Sequence, residues 1–225
     1  PQGYLFTESL PDRAIARREV REELGVDDSC LIVMGCGTVT PRKGCDYFVD
    51  IAYQYQQCGT DKQLVFMWVG DPVGPPDNNV YMSKLKNQLS QYKLNGNVLF
   101  IGSRPNIHKY FQAADVFLLT SRLDPFPYVV LHAMEAAVPV VCFRETTGAD
   151  SLFSDGKAGF AVSKFDTSAA AEKLRFYCKD ENARRTSGEE ARQRLEERFL
   201  YEDYVQYLLH LSNTINGRER VFEHQ

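Results

Sequence analysis

Two segments of this chain combine residue types that could hold a charged, polyhydroxylated substrate. The first is Gly35-Cys-Gly-Thr-Val-Thr-Pro-Arg-Lys-Gly44. Glycines leave an apolar run, and Arg42 and Lys43 stand just before a helical pattern. Small residues such as Gly37 and Thr38 let the backbone approach a phosphate, and Lys43 supplies a compact positive charge. The loop has neither the GxGxxG fingerprint nor the GK[ST] ending of a P-loop, so alone it reads equally well as a tight turn with a solvated lysine.

The second segment runs from Ser121 to Glu135 and contains Asp124-Pro-Phe-Pro-Tyr-Val129. An acidic residue followed by proline is expected to start a helix, with Asp124 as its N-cap. The free amides of Phe126, Tyr128 and Val129 would then face a phosphate at the positive end of the helix dipole. Pro127 contributes no N–H there. His132 lies eight residues after Asp124, roughly two helical turns, so both are expected on a similar face. A carboxylate at the tip could bind sugar hydroxyls, and a polar group two turns in could reach a ribose. Taken singly, Asp124 also reads as a simple cap and His132 as a satisfied groove histidine.

These segments need a scaffold. Continuous apolar runs at Leu31–Met34, Leu64–Val69, Val98–Ile101, Val116–Thr120 and Pro139–Phe143 read as strands buried on both faces, as in a parallel sheet. Helical patterns lie between them at Lys43–Cys58, Val80–Tyr92, Asn106–Ala113 and Tyr128–Ala137. The βαβα rhythm predicts an α/β fold with one doubly wound parallel sheet and right-handed crossovers. In such a sheet ligands bind beyond the carboxyl ends of the strands. That directs attention to the loops Gly35–Gly44, Gly70–Asn79, Gly102–Asn106, Ser121–Pro127 and Arg144–Asp150.

The flanks read as helical. Asp12–Glu23 is a charged amphipathic helix that Gly25 could close. From Thr167 onward the pattern is mostly helix. Glu189–Arg198 reads as a solvated charged face, and Tyr204, Tyr207, Leu208 and Leu211 form a stripe that should dock on something. Residues 1–30 are expected to be a linker and entry helix, 31–166 a Rossmann-like domain, 167–216 helices packing on it, and 217–225 a frayed tail.

The net charge of −4 gives no bulk electrostatic support to a nucleic-acid partner. No apolar run approaches the roughly 20 residues of a membrane span. Pro1–Leu10 lacks the pattern of a signal peptide, and the start without Met suggests a piece of a longer chain. The six cysteines form no CxxC pair and read as reduced thiols rather than a disulfide or zinc framework.

Taken in order, these segments resemble the C-terminal domain of GT-B-fold retaining glycosyltransferases of the group-1 family. The resemblance runs from about Ala14 to Leu211. Arg18–Gly25 is similar to the family's linker helix ending in ELG, Gly37–Gly44 to its GR-x4-KG loop, and Phe66–Gly70 to its F-x-x-x-G strand end. Val98–Gly102 and Ala114–Ser121 resemble V-x-F-x-G and A-D-V-F-x-x-x-S. Asp124–His132 falls on the E-x7-E element, Val138–Val141 on the following PVV strand, and Gly148–Asp150 and Asp155–Gly159 on GG-x-x-E and DG-x-x-G.

The resemblance implies a nucleotide-diphospho-sugar donor, no cofactor and no metal requirement. Lys43 would contact the donor diphosphate and stabilise charge on the leaving nucleotide. Asp124 would stand near the transferred sugar. His132 would take the place of the glutamate that grips the ribose, and the loop Gly102-Ser103-Arg104 would lie against the base, with Gly70 at the adjoining strand end. Three departures are visible. Thr38 replaces a phosphate-binding arginine, for which Arg42, Arg104 or Arg122 could substitute. His132 replaces a carboxylate able to accept a bidentate diol. Pro127 replaces a glycine.

The leading expectation is the donor-binding half of an enzyme of surface polysaccharide or lipopolysaccharide synthesis. Its glycan or lipid-linked acceptor would be handled by an N-terminal domain missing from this chain. The expected location is cytoplasmic, with peripheral docking at the inner membrane face through the full-length protein as the alternative. The competing reading is a degenerate, non-catalytic module for assembly or regulation, motivated by Thr38 and His132. A nicotinamide dehydrogenase lacks its glycine fingerprint here.

Overall fold

A computed structural model describes residues 3–59, 63–74 and 80–222. The end of the Gly70–Asn79 loop, residues 75–79, lies outside the described residues, as do Pro1, Gln2 and the last three residues of the tail.

Helix α1 (Arg13–Leu24) begins where Asp12 accepts a hydrogen bond from the Ile15 amide at 2.9 Å and ends at Gly25 in the left-handed conformation. It leads into β1 (Leu31–Cys36), α2 (Cys45–Gln57), β2 (Leu64–Val69), α3 (Val80–Gln91), β3 (Val98–Phe100), α4 (Ile107–Ala113), β4 (Val116–Leu119), α5 (Tyr128–Glu135), β5 (Val140–Phe143) and β6 (Gly159–Val162). Helices α6 (Thr167–Lys179), α7 (Glu181–Arg198) and α8 (Tyr201–Phe222) close the chain. All strand pairs are parallel, in the order β3-β2-β1-β4-β5-β6. Strand order therefore reverses between β1 and β4.

The expected doubly wound α/β sheet is present. It also holds a sixth strand, β6, that sequence patterning did not pick out. Opening on Gly159 and carrying Ala161, β6 has too few large apolar residues for a run to stand out. The glycine is required because a Cβ there would lie 2.1 Å from the Val140 carbonyl oxygen.

Alternation along the strands sends side chains to two cores. Ile32, Met34, Phe117 and Leu119 pack under α1, α4, α5 and α7, with Val20, Phe111, Leu131 and Leu195. Leu31, Val33, Phe66 and Trp68 pack under α2, α3 and α6, with Phe48, Ile51, Leu89 and Leu174. Truncating any of these fully buried side chains to alanine should cost about 2–5 kcal/mol.

Buried charges also tie the elements together. Asp115, at the amino end of β4, accepts from the Ile32 amide at 2.9 Å and pairs with Arg17 and Arg21 at 2.8 and 3.2 Å. It thereby ties α1 to the sheet. Within Glu189–Arg198, read above as a solvated face, Arg194 is buried and grips Asp155 and Glu190, each at 2.7 Å. A sequence of charges cannot reveal that one of them turns inward. The arginine holds Asp155 well below the usual carboxylate range, at about 2.

Helix α8 continues to Phe222, past Asn216, where the frayed tail was expected. Tyr204 lies against Gly3, but Tyr207, Leu208 and Leu211 of the apolar stripe remain exposed. No helix among the described residues is long and apolar enough to cross a membrane.

Candidate functional site

The switch point between β1 and β4 is where two loops leave the sheet side by side. The first, from β1, tightens into a 3-10 turn at Pro41–Lys43 and is closed by Gly44 at φ 68°. A Cβ on Gly44 would sit 2.0 Å from the Thr120 carbonyl oxygen, so only glycine lets this loop press against the end of β4. The second loop is pinned in return. The Arg122 amide donates to the Arg42 carbonyl at 2.8 Å, and the Asp124 amide to the Thr146 carbonyl at 2.8 Å.

That clamp brings Lys43 and Asp124 together. Lys43 Nζ lies 2.5 Å from Asp124 Oδ2, with both side chains largely buried. Ser121 Oγ donates to the same carboxylate oxygen at 3.3 Å, and Arg42 approaches its other oxygen at 3.7 Å. Asp124 is therefore not the helix N-cap expected from sequence. Helix α5 starts only at Tyr128, with Pro127 in the capping position and no side-chain cap. A Pro–x–Pro stretch delays the helix by fixing extended backbone before each proline. The same delay means that Asp124 and His132 do not share a helical face.

The first bonded amide of α5 is that of Val130, which donates to the Pro127 carbonyl at 3.0 Å. The amides of Tyr128 and Val129 stay open at the positive end of the dipole. Phe126 packs against Phe199 with ring centroids 5.5 Å apart.

A cavity of about 320 Å³ opens beside the clamp, at the carboxyl ends of β1, β2 and β3. Gly37, Thr38, Gly70, Ser103 and Arg104 line it, as grouped from sequence, and Gly102 borders it through its carbonyl bond from the Gly70 amide at 3.0 Å. A Cβ on Gly70 would meet the Gly37 carbonyl oxygen at 2.1 Å, so that glycine permits the two loops to touch. Asp71 and Ile107 also line the cavity, and Asp71 Oδ1 accepts from the Ser103 amide at 3.1 Å. Sequence reasoning missed Asp71. Its one signal was its place directly after the strand-end glycine.

Of the three arginines that could replace the cation lost at Thr38, two are engaged elsewhere. Arg122 makes a bidentate pair with Asp46 at 2.7 and 2.5 Å and stacks 4.2 Å over the Tyr47 ring. Arg104 is held by Glu23 at 3.0 Å and by Tyr110 at 3.1 Å. Arg42, 55% exposed at its side chain, is the one aimed at the clamp.

His132 is drawn into a different group. Its Nδ1 lies 2.8 Å from the hydroxyl of Tyr4, which donates to Glu135 at 2.8 Å. Its ring meets His108 edge-on, with centroids 4.8 Å apart. Burial, and then His108, push the His132 imidazole down to about 4. Tyr4 and His108 left no mark in the spacing, because they come from the N-terminal segment and from α4, far from His132 in sequence.

The sequence profile described as Glycosyl transferases group 1 matches residues 16–194. The chain belongs to this family. Among curated relatives, the alpha-D-kanosaminyltransferase of Streptomyces kanamyceticus is 28% identical over 193 residues, 84% of this chain and 47% of that protein. The lipopolysaccharide core biosynthesis mannosyltransferase LpsB of Rhizobium meliloti (strain 1021) is 31% identical over 125 residues, 56% of this chain and 34% of that protein. The chain thus spans less than half the length of these relatives. Among solved structures, Anabaena HepE in complex with UDP-glucose superposes with a TM-score of 0.77 at 25% identity, covering 89% of this chain and 53% of that one. Sucrose-phosphate synthase from Thermosynechococcus elongatus gives 0.78 at 23% identity, covering 97% and 52%.

Proposed function

We propose that this group-1 glycosyltransferase chain is the nucleotide-sugar donor-binding domain of a retaining enzyme of surface polysaccharide or lipopolysaccharide synthesis. The observation that carries the reading is the Lys43–Asp124 clamp across the switch point, bordered by the cavity on one side and the open amides of α5 on the other. The UDP-glucose held by a neighbour of the same fold supports a nucleotide-sugar ligand.

The donor's base enters the cavity against Gly102, Ser103 and Arg104. Its diphosphate lies between Lys43 Nζ and the amides of Tyr128 and Val129. Negative charge grows on the diphosphate as the glycosidic bond breaks, so a fixed ammonium and a helix dipole stabilise the transition state more than the ground state. Asp124, once the phosphates draw Lys43 toward them, accepts hydrogen bonds from the sugar hydroxyls. No metal is assigned to this chemistry, because Lys43, Arg42 and the helix end supply the positive charge. A second domain of the full protein would present the glycan or lipid-linked acceptor, and the exposed stripe of α8 supports such a contact. The same arrangement fits a cytoplasmic enzyme docked peripherally at the inner membrane face.

Calorimetry with UDP-, GDP- and dTDP-sugars tests the reading. Saturable binding to one of them, lost in Lys43→Ala, is expected; binding of none would sink it. The second reading, a degenerate assembly module, is favoured by the capture of His132 by Tyr4, which leaves the ribose position without a carboxylate. That absence of binding is the result it calls for.

A further inference from the structure

We infer that His108, His132 and Glu135 form a site for one divalent transition metal, with zinc the best match, that cross-links α4 to α5 beside the N-terminal segment Tyr4–Thr7. The inference stands independently of the donor-site reading and assigns the metal no part in glycosyl transfer.

The three residues can each present one ligand atom, and these atoms all lie within 4.8 Å of one another. His132 and Glu135 are three apart on α5 and so share a face, while His108 faces them from the first turn of α4. Zinc–ligand bonds of about 2.0–2.2 Å place tetrahedral ligands roughly 3.3 Å apart, so binding draws the three atoms closer together.

Charge points the same way. Glu135 is buried at 1% exposure. Its hydrogen bonds come from the Thr7 amide at 2.5 Å, the Thr7 hydroxyl at 3.0 Å and the Tyr4 hydroxyl at 2.8 Å, all neutral donors. Among the described residues no lysine or arginine pairs with it; the only basic group within salt-bridge range is His108 Nδ1, at 3.7 Å. A carboxylate withdrawn from water without a cation is costly, and a metal ion would supply the missing charge.

The hydrogen-bond pattern leaves the imidazoles ready. Tyr4 has one hydroxyl proton and gives it to Glu135, so its contact with His132 requires Nδ1–H as donor. Nε2 of His132 then carries a free lone pair, oriented by an oxygen behind the ring as in many metal sites. Thr7 likewise gives its proton to Glu135, so it accepts from one nitrogen of His108 and leaves the other free. Two imidazoles and one carboxylate are a zinc-type donor set, and hard cations such as magnesium seldom choose imidazole. The side chain of His108 is 24% exposed, which gives an ion a route in from solvent.

Cobalt(II), a spectroscopic stand-in for zinc, tests the proposal on the chelator-stripped chain. The expected result is one cobalt per chain, visible d–d bands, no thiolate charge-transfer band, and displacement by zinc. His108→Ala, a part-exposed change that should leave the fold intact, weakens cobalt binding at least tenfold, as does His132→Ala. Zinc raises the Tm of the wild-type chain in a concentration-dependent manner but not that of His108→Ala. Three results overturn the proposal: no stoichiometric binding, undiminished binding in both variants, or a thiolate band that places the ion at one of the free cysteines.

Discussion

Lys43 Nζ and Asp124 Oδ2 stand 2.5 Å apart, joining loops from the two strands between which the sheet reverses its order. Each offsets the charge of the other. In the proposed donor site, a diphosphate would compete with Asp124 for the ammonium, and a sugar would compete with Lys43 for the carboxylate. A nucleotide sugar carrying both groups would satisfy both partners at once, so the clamp would favour it over either half.

That competition makes Asp124→Asn informative. Freed from its partner, Lys43 should bind a bare nucleoside diphosphate more tightly, by about tenfold, the scale of one charge-assisted hydrogen bond. The preference for nucleotide sugar over nucleoside diphosphate should shrink in the same variant. Calorimetry with UDP and UDP-glucose measures both. Equal weakening toward the two ligands would show that Asp124 has no role toward the sugar.

Thr38 lines the cavity and is exposed, where family resemblance places an arginine. Thr38→Arg should add a second cation for the phosphates and tighten nucleotide binding by roughly tenfold or more. Unchanged affinity would mean that Arg42 already fills the role, which Arg42→Ala would then expose as a loss.

The clamp depends on Gly44. With φ at 68° and a Cβ destined to lie 2.0 Å from backbone, Gly44→Ala should destabilise the chain by about 2 kcal/mol or more and weaken donor binding together. Thermal unfolding and calorimetry on the same sample check the pair. A stable variant with normal affinity would show that the close approach of the two loops is dispensable.

His132 predicts a pH dependence of stability. Its folded-state value of about 4 lies below its ordinary 6.5, so protons prefer the unfolded chain. The contribution of the neutral ring is complete above about pH 6.5 and is lost as the pH falls toward 4. Part of the ring reaches solvent, which limits the effect to about 1–2 kcal/mol. The measurement is Tm against pH in chelator, wild type beside His132→Gln. The variant should show a shallower acid limb, and parallel curves would refute the assignment.

The scaffold was legible because its signals are local. Leu64–Val69 and Val116–Leu119 are apolar runs that only a sheet covered on both faces can bury, and Asp12 and Gly25 carry the capping chemistry of α1. Lys43, Gly37, Gly70 and Ser103 could be grouped because strand ends in a doubly wound sheet converge on one edge. What escaped was set by long-range geometry. The pairing of Asp124 with Lys43 in place of a helix cap depends on two prolines and on the carbonyl of Thr146. The capture of His132 depends on Tyr4, 128 residues away in sequence. The inward turn of Arg194 depends on Asp155, from another element.

The most direct test of the donor-site account is a structure of the chain with a bound nucleotide sugar. The account predicts the diphosphate within hydrogen-bond distance of Lys43 Nζ and the Tyr128 and Val129 amides, the base in the cavity lined by Gly37, Gly70 and Ser103, and Asp124 turned to the sugar hydroxyls. A donor bound away from Lys43, or a site that stays empty at saturating donor, would contradict it.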